Sequence, residues 1–155
     1  KKINTIFHYK DNRIKYLNWI NQLNETEISK YFIFSIIRNP FDRVVSLCSH
    51  FGMSIDLFIK NYKSRSLEKK IFEHSIPLFN YNYFNNKKFT HFVGRFENID
   101  NDYLKICKYL NIEEEKLPHT NKTNHLHYKN YYNERQIIEI SDIYKNDLIN
   151  FNYSF

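Results

Sequence analysis

Residues Phe34 to Phe51 read FSIIRNPFDRVVSLCSHF, an apolar run that stops on an arginine, turns through Asn-Pro and resumes at three- and four-residue spacing. Upstream the run reaches back to Tyr31 as YFIFSII, apolar nearly throughout. A continuous apolar run of this length suits a strand covered on both faces, as in a parallel sheet flanked by helices. Past the turn, Val44, Val45, Leu47, Cys48 and Phe51 recur as one inward helical face. Asn39 suits the N-cap, and Pro40 suits the first helical turn, where a missing N–H is no loss. The segment therefore predicts strand, tight turn and helix, within an α/β fold.

A strand in an open α/β sheet delivers its last residue to the edge where ligands bind, and the next helix starts there with unpaired N–H groups. Arg38 sits at that strand end and has the planar fork that suits phosphate. With the helix terminus as a partial positive charge, the segment reads as a phosphate cradle. A plainer reading pairs Arg38 with a carboxylate such as Asp42 or Glu97. Ser46 is a second candidate ligand, and two geometries are open for it. If the helix begins at Pro40, Ser46 lies roughly 9 Å along the axis and Arg38 must arch over the first turn. If the helix begins near Val44, Ser46 reaches the same anion directly.

Working outward, THFVGRFE (Thr90 to Glu97) predicts a second strand. Asn98 or Asp100 can cap the helix that follows, with Leu104, Cys107 and Leu110 on one face. Asn133 to Phe151 predicts a closing helix with Ile137, Ile140, Ile143, Tyr144, Leu148 and Phe151 inward. Arg13 to Leu23 has helical spacing, and Ile55 to Lys88 reads as helices and loops broken by Pro77.

The 155 residues suit one domain, 1–155, with a real core. Lys and Arg outnumber Asp and Glu by 23 to 17, a formal +6 that favours acidic partners such as phosphate, sulfate, nucleic acid or anionic glycans. Asn, Lys, Ile, Tyr and Phe are abundant and alanine is absent, the imprint of AT-rich coding. Asn-rich runs such as NYNYFNNKKF are therefore not read as disorder, because aromatics at 18% supply ample material to bury. Cys48 and Cys107 form no CxxC pair or disulfide framework and read as buried thiols. His125 and His127 lack the further ligands of a closed zinc site. Lys60 to Lys70 with Tyr62 matches no nucleic-acid module and reads as a solvated face or a rim for an anionic glycan. No apolar stretch approaches the ~20 residues of a membrane span. No signal peptide opens the chain, so the expected address is cytoplasmic.

Four blocks, RNPFDRVVS, FVGRFENIDNDYLKICKYLNI, LPHTNKT and YYNERQIIEISDIYKNDLINFNYSF, stand in that order between Tyr31 and Phe155. Together they resemble the carbohydrate sulfotransferase family of the second type. The resemblance implies a fold related to the P-loop nucleotide kinases. It also implies binding of 3'-phosphoadenosine-5'-phosphosulfate and transfer of its sulfuryl group to a hydroxyl or amine of a carbohydrate-like acceptor, releasing 3',5'-adenosine bisphosphate. By the same resemblance Arg38 and Ser46 hold the 3'-phosphate. Lys122 and Thr123 of the HTNKT loop reach that phosphate or the adenine side, and His8 is the general base on the acceptor, work that suits an imidazole.

Members of that family begin with a strand and a Gly/Lys/Thr-rich loop that cradles the 5'-phosphosulfate. The two glycines here, Gly52 and Gly94, build no such loop. The expectation is an N-terminally incomplete sulfotransferase-like domain lacking that strand and loop, or else an eroded, non-catalytic module that binds a nucleotide or an anionic glycan. Arg43, and Arg95 with Glu97, read as fold-stabilising ion pairs behind the site.

Overall fold

A computed structural model describes residues 22, 24–84, 87–118 and 126–155, which fall in two units, Lys1–Tyr31 and Phe32–Phe155. In the first unit, helix α1 (Glu25–Ile28) opens on a reciprocal cap. Asn24 Oδ1 accepts the Glu27 N–H at 2.9 Å, and the Glu27 carboxylate accepts the Asn24 N–H at 3.0 Å. The expected helix from Arg13 to Leu23 lies outside the described residues, apart from residue 22.

The second unit runs β1 (Phe34–Ile37), α2 (Pro40–Phe51), α3 (Ile55–Lys63) and α4 (Lys69–Ser75), then a 3-10 turn, Leu78–Tyr81. A small antiparallel pair follows, β2 (Tyr83–Phe84) with β3 (Lys87–Lys88). Next come β4 (Phe92–Arg95), a 3-10 turn Phe96–Asn98, α5 (Ile99–Leu110), a further turn Tyr128–Tyr131, α6 (Glu134–Ile143) and α7 (Lys145–Phe151). β1 and β4 pair in parallel, Phe34 opposite Phe92 and Ile37 opposite Arg95. This is the expected α/β class, a short parallel sheet with helices against it. The register brings Arg38 and Phe96 side by side at the carboxyl ends of the two strands.

Both strands are shorter than their apolar runs, because Tyr31 to Ile33 precede the paired stretch and the chain tightens into a 3-10 turn from Phe96. Gly94 is required by close approach: a Cβ there would stand 2.7 Å from Ile36 Cδ1 and 3.1 Å from Asp102 Cβ. Three expectations need correction. Leu104 is 40% exposed, and α5 instead buries Asp102, Ile106 and Cys107. Its face is rotated because the Asp102 carboxylate turns inward to accept the Arg95 N–H at 2.7 Å. Asn98 stands at the N-cap of α5 but its side chain makes no capping bond, and Asp100 lies within the first turn; the Asn98 amide instead donates to Asp102 at 3.2 Å. The closing helix is two helices, which break at the buried Tyr144, whose hydroxyl donates to the Ser75 carbonyl at 2.8 Å.

α2 lies at the centre of the core. Its Phe41, Val44, Val45, Leu47 and Cys48 pack with Ile55, Phe58 and Ile59 of α3, Ile71 of α4, Ile140 of α6 and Tyr144. Each large apolar side chain buried this way contributes about 1.5–3 kcal/mol. Both cysteines are free and buried, and burial pushes the Cys48 thiol up to about 12. Among the described residues no helix is long and apolar enough to cross a membrane. Nor does any group of three His, Cys, Asp or Glu side chains there match a metal site.

Candidate functional site

Ile37 ends β1 nearly fully buried, and Arg38 beside it turns outward with 22% of its side chain exposed. α2 begins at Pro40, not near Val44, because Asn39 caps it: its Oδ1 accepts the Phe41 N–H at 3.0 Å. The helix tip is not an open cradle. Glu97 Oε1 accepts the Asn39 N–H at 2.7 Å, so the protein's own carboxylate sits where the partial positive charge is greatest. Asn39 Nδ2 donates to the Ser154 carbonyl at 3.0 Å and to the Tyr128 hydroxyl at 3.4 Å, and Pro40 and Phe41 are buried beneath. Tyr153 donates its hydroxyl to Glu97 Oε2 at 2.8 Å. Burial, and then that bond, push the Tyr153 phenol up, so it stays a donor.

The arginine is held one turn higher. Its Nε donates to Asp42 Oδ2 at 2.6 Å, and the guanidinium carbon stands 4.5 Å from the centre of the Phe96 ring. Arg38 thus arches over the first turn, as a helix beginning at Pro40 demands. Of the two carboxylates its plainer reading named, it pairs with Asp42. The terminal Nη groups of Arg38 and the hydroxyl of Ser46 make no hydrogen bond among the described residues. Ser46 follows Asp42 by four residues, so it shares that helix face about 6 Å further along the axis. The hydroxyl thus stands about one helical turn beyond the Arg38–Asp42 pair.

The chain as a whole matches the model of the sulfotransferase family over residues 1–154. It belongs to the sulfotransferase family. No curated protein and no solved structure matches it. Membership makes this a transferase-family chain.

The two arginines of RNPFDR, Arg38 and Arg43, have different surroundings. Arg43, 13% exposed, donates Nη2 to the His74 and Ile76 carbonyls at 2.6 and 2.7 Å, and its Nη1 lies 4.0 Å from Asp147. Asp147, 1% exposed, accepts the N–H groups of Leu78 and Phe79 at 2.8 and 2.7 Å. Arg43 is thus a buried clamp joining α2 to the end of α4 and to α7. Arg95 donates to the Phe151 carbonyl at 2.5 Å and lies 4.5 Å from the centre of the Tyr153 ring. Both arginines serve the fold, as their apolar neighbours implied, although Arg95 reaches a carbonyl and a ring rather than pairing with Glu97.

Around the turn, the charges of Arg38 and Arg95 are matched by Asp42 and Glu97. Lys122 and Thr123 lie outside the described residues, as does His8. A cavity of about 400 Å³ lies along α2, lined among others by Val45, Ser49, Met53, Tyr131 and Gln136. Sequence reasoning missed Phe96 as a wall of the site, because its place beside Arg38 follows only from the strand register. It named Asp42 as a partner of Arg38 but not as part of the site; the i,i+4 spacing from Arg38 was the available signal.

Proposed function

We propose that the chain carries the 3'-phosphate seat of a sulfotransferase that uses 3'-phosphoadenosine-5'-phosphosulfate and sulfates a hydroxyl of a carbohydrate-like acceptor. The observation that carries this reading is the solvent-facing Arg38 at the end of β1. Its terminal nitrogens make no bond among the described residues, and Ser46 stands one turn along the same helix face. A guanidinium fork with a neighbouring hydroxyl is a donor set suited to a phosphate monoester. Each charge-assisted hydrogen bond contributes about 1.5–3 kcal/mol. By the family resemblance, Lys122 is the cation and Thr123 the hydroxyl that join Arg38 and Ser46 on the same phosphate.

When bound, the nucleotide supplies an activated sulfuryl group on a good leaving phosphate. The chain's part is to grip and orient, the source of most rate enhancement in such transfers. His8 takes the proton from the acceptor hydroxyl as that oxygen attacks sulfur.

The test is calorimetric titration of the full chain with 3',5'-adenosine bisphosphate and, separately, with adenosine 5'-phosphate. The bisphosphate should bind about tenfold or more tightly, the difference reading the 3'-phosphate alone. Equal affinities would remove the basis for the seat. Binding with the expected preference but no sulfuryl transfer to any of a panel of sugars would favour the non-catalytic module instead.

A further inference from the structure

A carboxylate bonded to an anion-gripping arginine is a contradiction in charge, since Asp42 repels the phosphate that Arg38 would hold. The geometry resolves it. A guanidinium has five N–H donors in a fixed plane, and the two Nη groups form a fork that does not use Nε. Asp42 takes Nε at 2.6 Å, and Phe96 lies against the guanidinium at 4.5 Å. One partner fixes an edge of the plane and the other fixes its face. An arginine held in this way has already lost the rotamer freedom that a free one would lose on gripping a ligand.

We infer that Asp42 is a positioning residue for Arg38: by occupying Nε it leaves the paired Nη groups as the edge presented to a phosphate monoester. The inference rests on the nucleotide reading above. The competing view is that Asp42 is a stand-in anion, displaced when phosphate arrives. The two views differ in sign. A displaced competitor weakens phosphate binding, so its removal tightens the complex; an orienting carboxylate strengthens binding despite its charge, so its removal loosens the complex.

Asp42 also lies in the first turn of α2, where an acidic residue favours the helix, so stability alone does not distinguish the views. The quantity to measure is the ratio of affinities for 3',5'-adenosine bisphosphate and adenosine 5'-phosphate, in wild type, Asp42→Ala, Asp42→Asn and Asp42→Glu. The alanine variant should lose about tenfold of the ratio, by lowering bisphosphate affinity while the 5'-phosphate compound binds as before. Asparagine keeps an acceptor for Nε without the charge and should hold the ratio at or above wild type; glutamate should restore part of it. Proton exchange of the Arg38 Nε–H, followed by NMR without ligand, should be slow in wild type and Asp42→Asn and fast in Asp42→Ala. A ratio in Asp42→Ala equal to or above wild type overturns the inference and leaves the nucleotide reading standing. Absence of any 3'-phosphate preference in the wild type overturns the reading of the site, and the role given to Asp42 with it.

Discussion

Arg43→Ala separates the buried arginine of RNPFDR, which holds the fold, from the partly exposed Arg38. The Arg43 side chain is 13% exposed and donates to two carbonyls, His74 and Ile76, at 2.6 and 2.7 Å. Its removal leaves both carbonyls without that donor. It also leaves the Asp147 carboxylate, 1% exposed, with only the Leu78 and Phe79 N–H groups. Breaking a buried pair by deleting one partner costs about 3–5 kcal/mol. With a urea dependence of about 2 kcal/mol per molar, the unfolding midpoint should fall by about 2 M. Arg43→Lys keeps the charge without the planar fork that spans two carbonyls, so it should fall between alanine and wild type. Arg38→Ala, by contrast, removes a partly exposed i,i+4 pair of the kind measured at about 0.3–0.5 kcal/mol, and its midpoint should move by no more than about 0.3 M. Urea titration followed by circular dichroism measures both. An Arg43→Ala midpoint within about 0.5 M of wild type would show that the clamp does not hold the fold as argued.

Burial pushes the Cys48 thiol up to about 12, and Cys107 is also buried, so the native protein at pH 8 should release almost no thionitrobenzoate from Ellman's reagent and the urea-unfolded protein two equivalents. Rapid reaction of the native protein would contradict the packing of α2 and α5. Burial also raises the Asp147 carboxyl, with the Phe79 and Leu78 N–H groups and Arg43 pulling the other way. A raised folded value means that stability tied to this group is complete below its unfolded value of about 3.9 and is lost as the pH rises through the folded value. The difference in unfolding free energy between wild type and Asp147→Asn should therefore decline as the pH rises above about 4, and a rising difference would contradict the burial argument.

The turn that decides the fold was legible because three local signals agree at it. The apolar run marks β1, Asn39 and Pro40 mark the start of α2, and Val44 to Phe51 mark its buried face. α5 and the closing helices were legible as helices but not in detail. Buried polar groups reorient them: Asp102 turns α5 so that Leu104 faces out, and the Tyr144 hydroxyl bends the last helix toward Ser75. Periodicity counts apolar residues, so it cannot register a carboxylate or phenol that is buried for its hydrogen bonds. The β2–β3 pair was missed because its strands, Tyr83–Phe84 and Lys87–Lys88, are two residues each, too short to show an alternation within Asn- and Lys-rich sequence. At the site, Arg38 and Ser46 were named from the motif. Glu97 filling the helix tip and Phe96 lining the guanidinium depend on contacts about 58 residues apart in sequence, which only the parallel register supplies.

The central claim is that Arg38 grips the 3'-phosphate of the nucleotide without supporting the fold. Calorimetric titration of Arg38→Ala with 3',5'-adenosine bisphosphate, alongside adenosine 5'-phosphate, tests it most directly. The account predicts that the bisphosphate loses at least about tenfold in affinity, so that the preference over the 5'-phosphate compound collapses while the urea midpoint stays near wild type. An undiminished preference in this variant would contradict it.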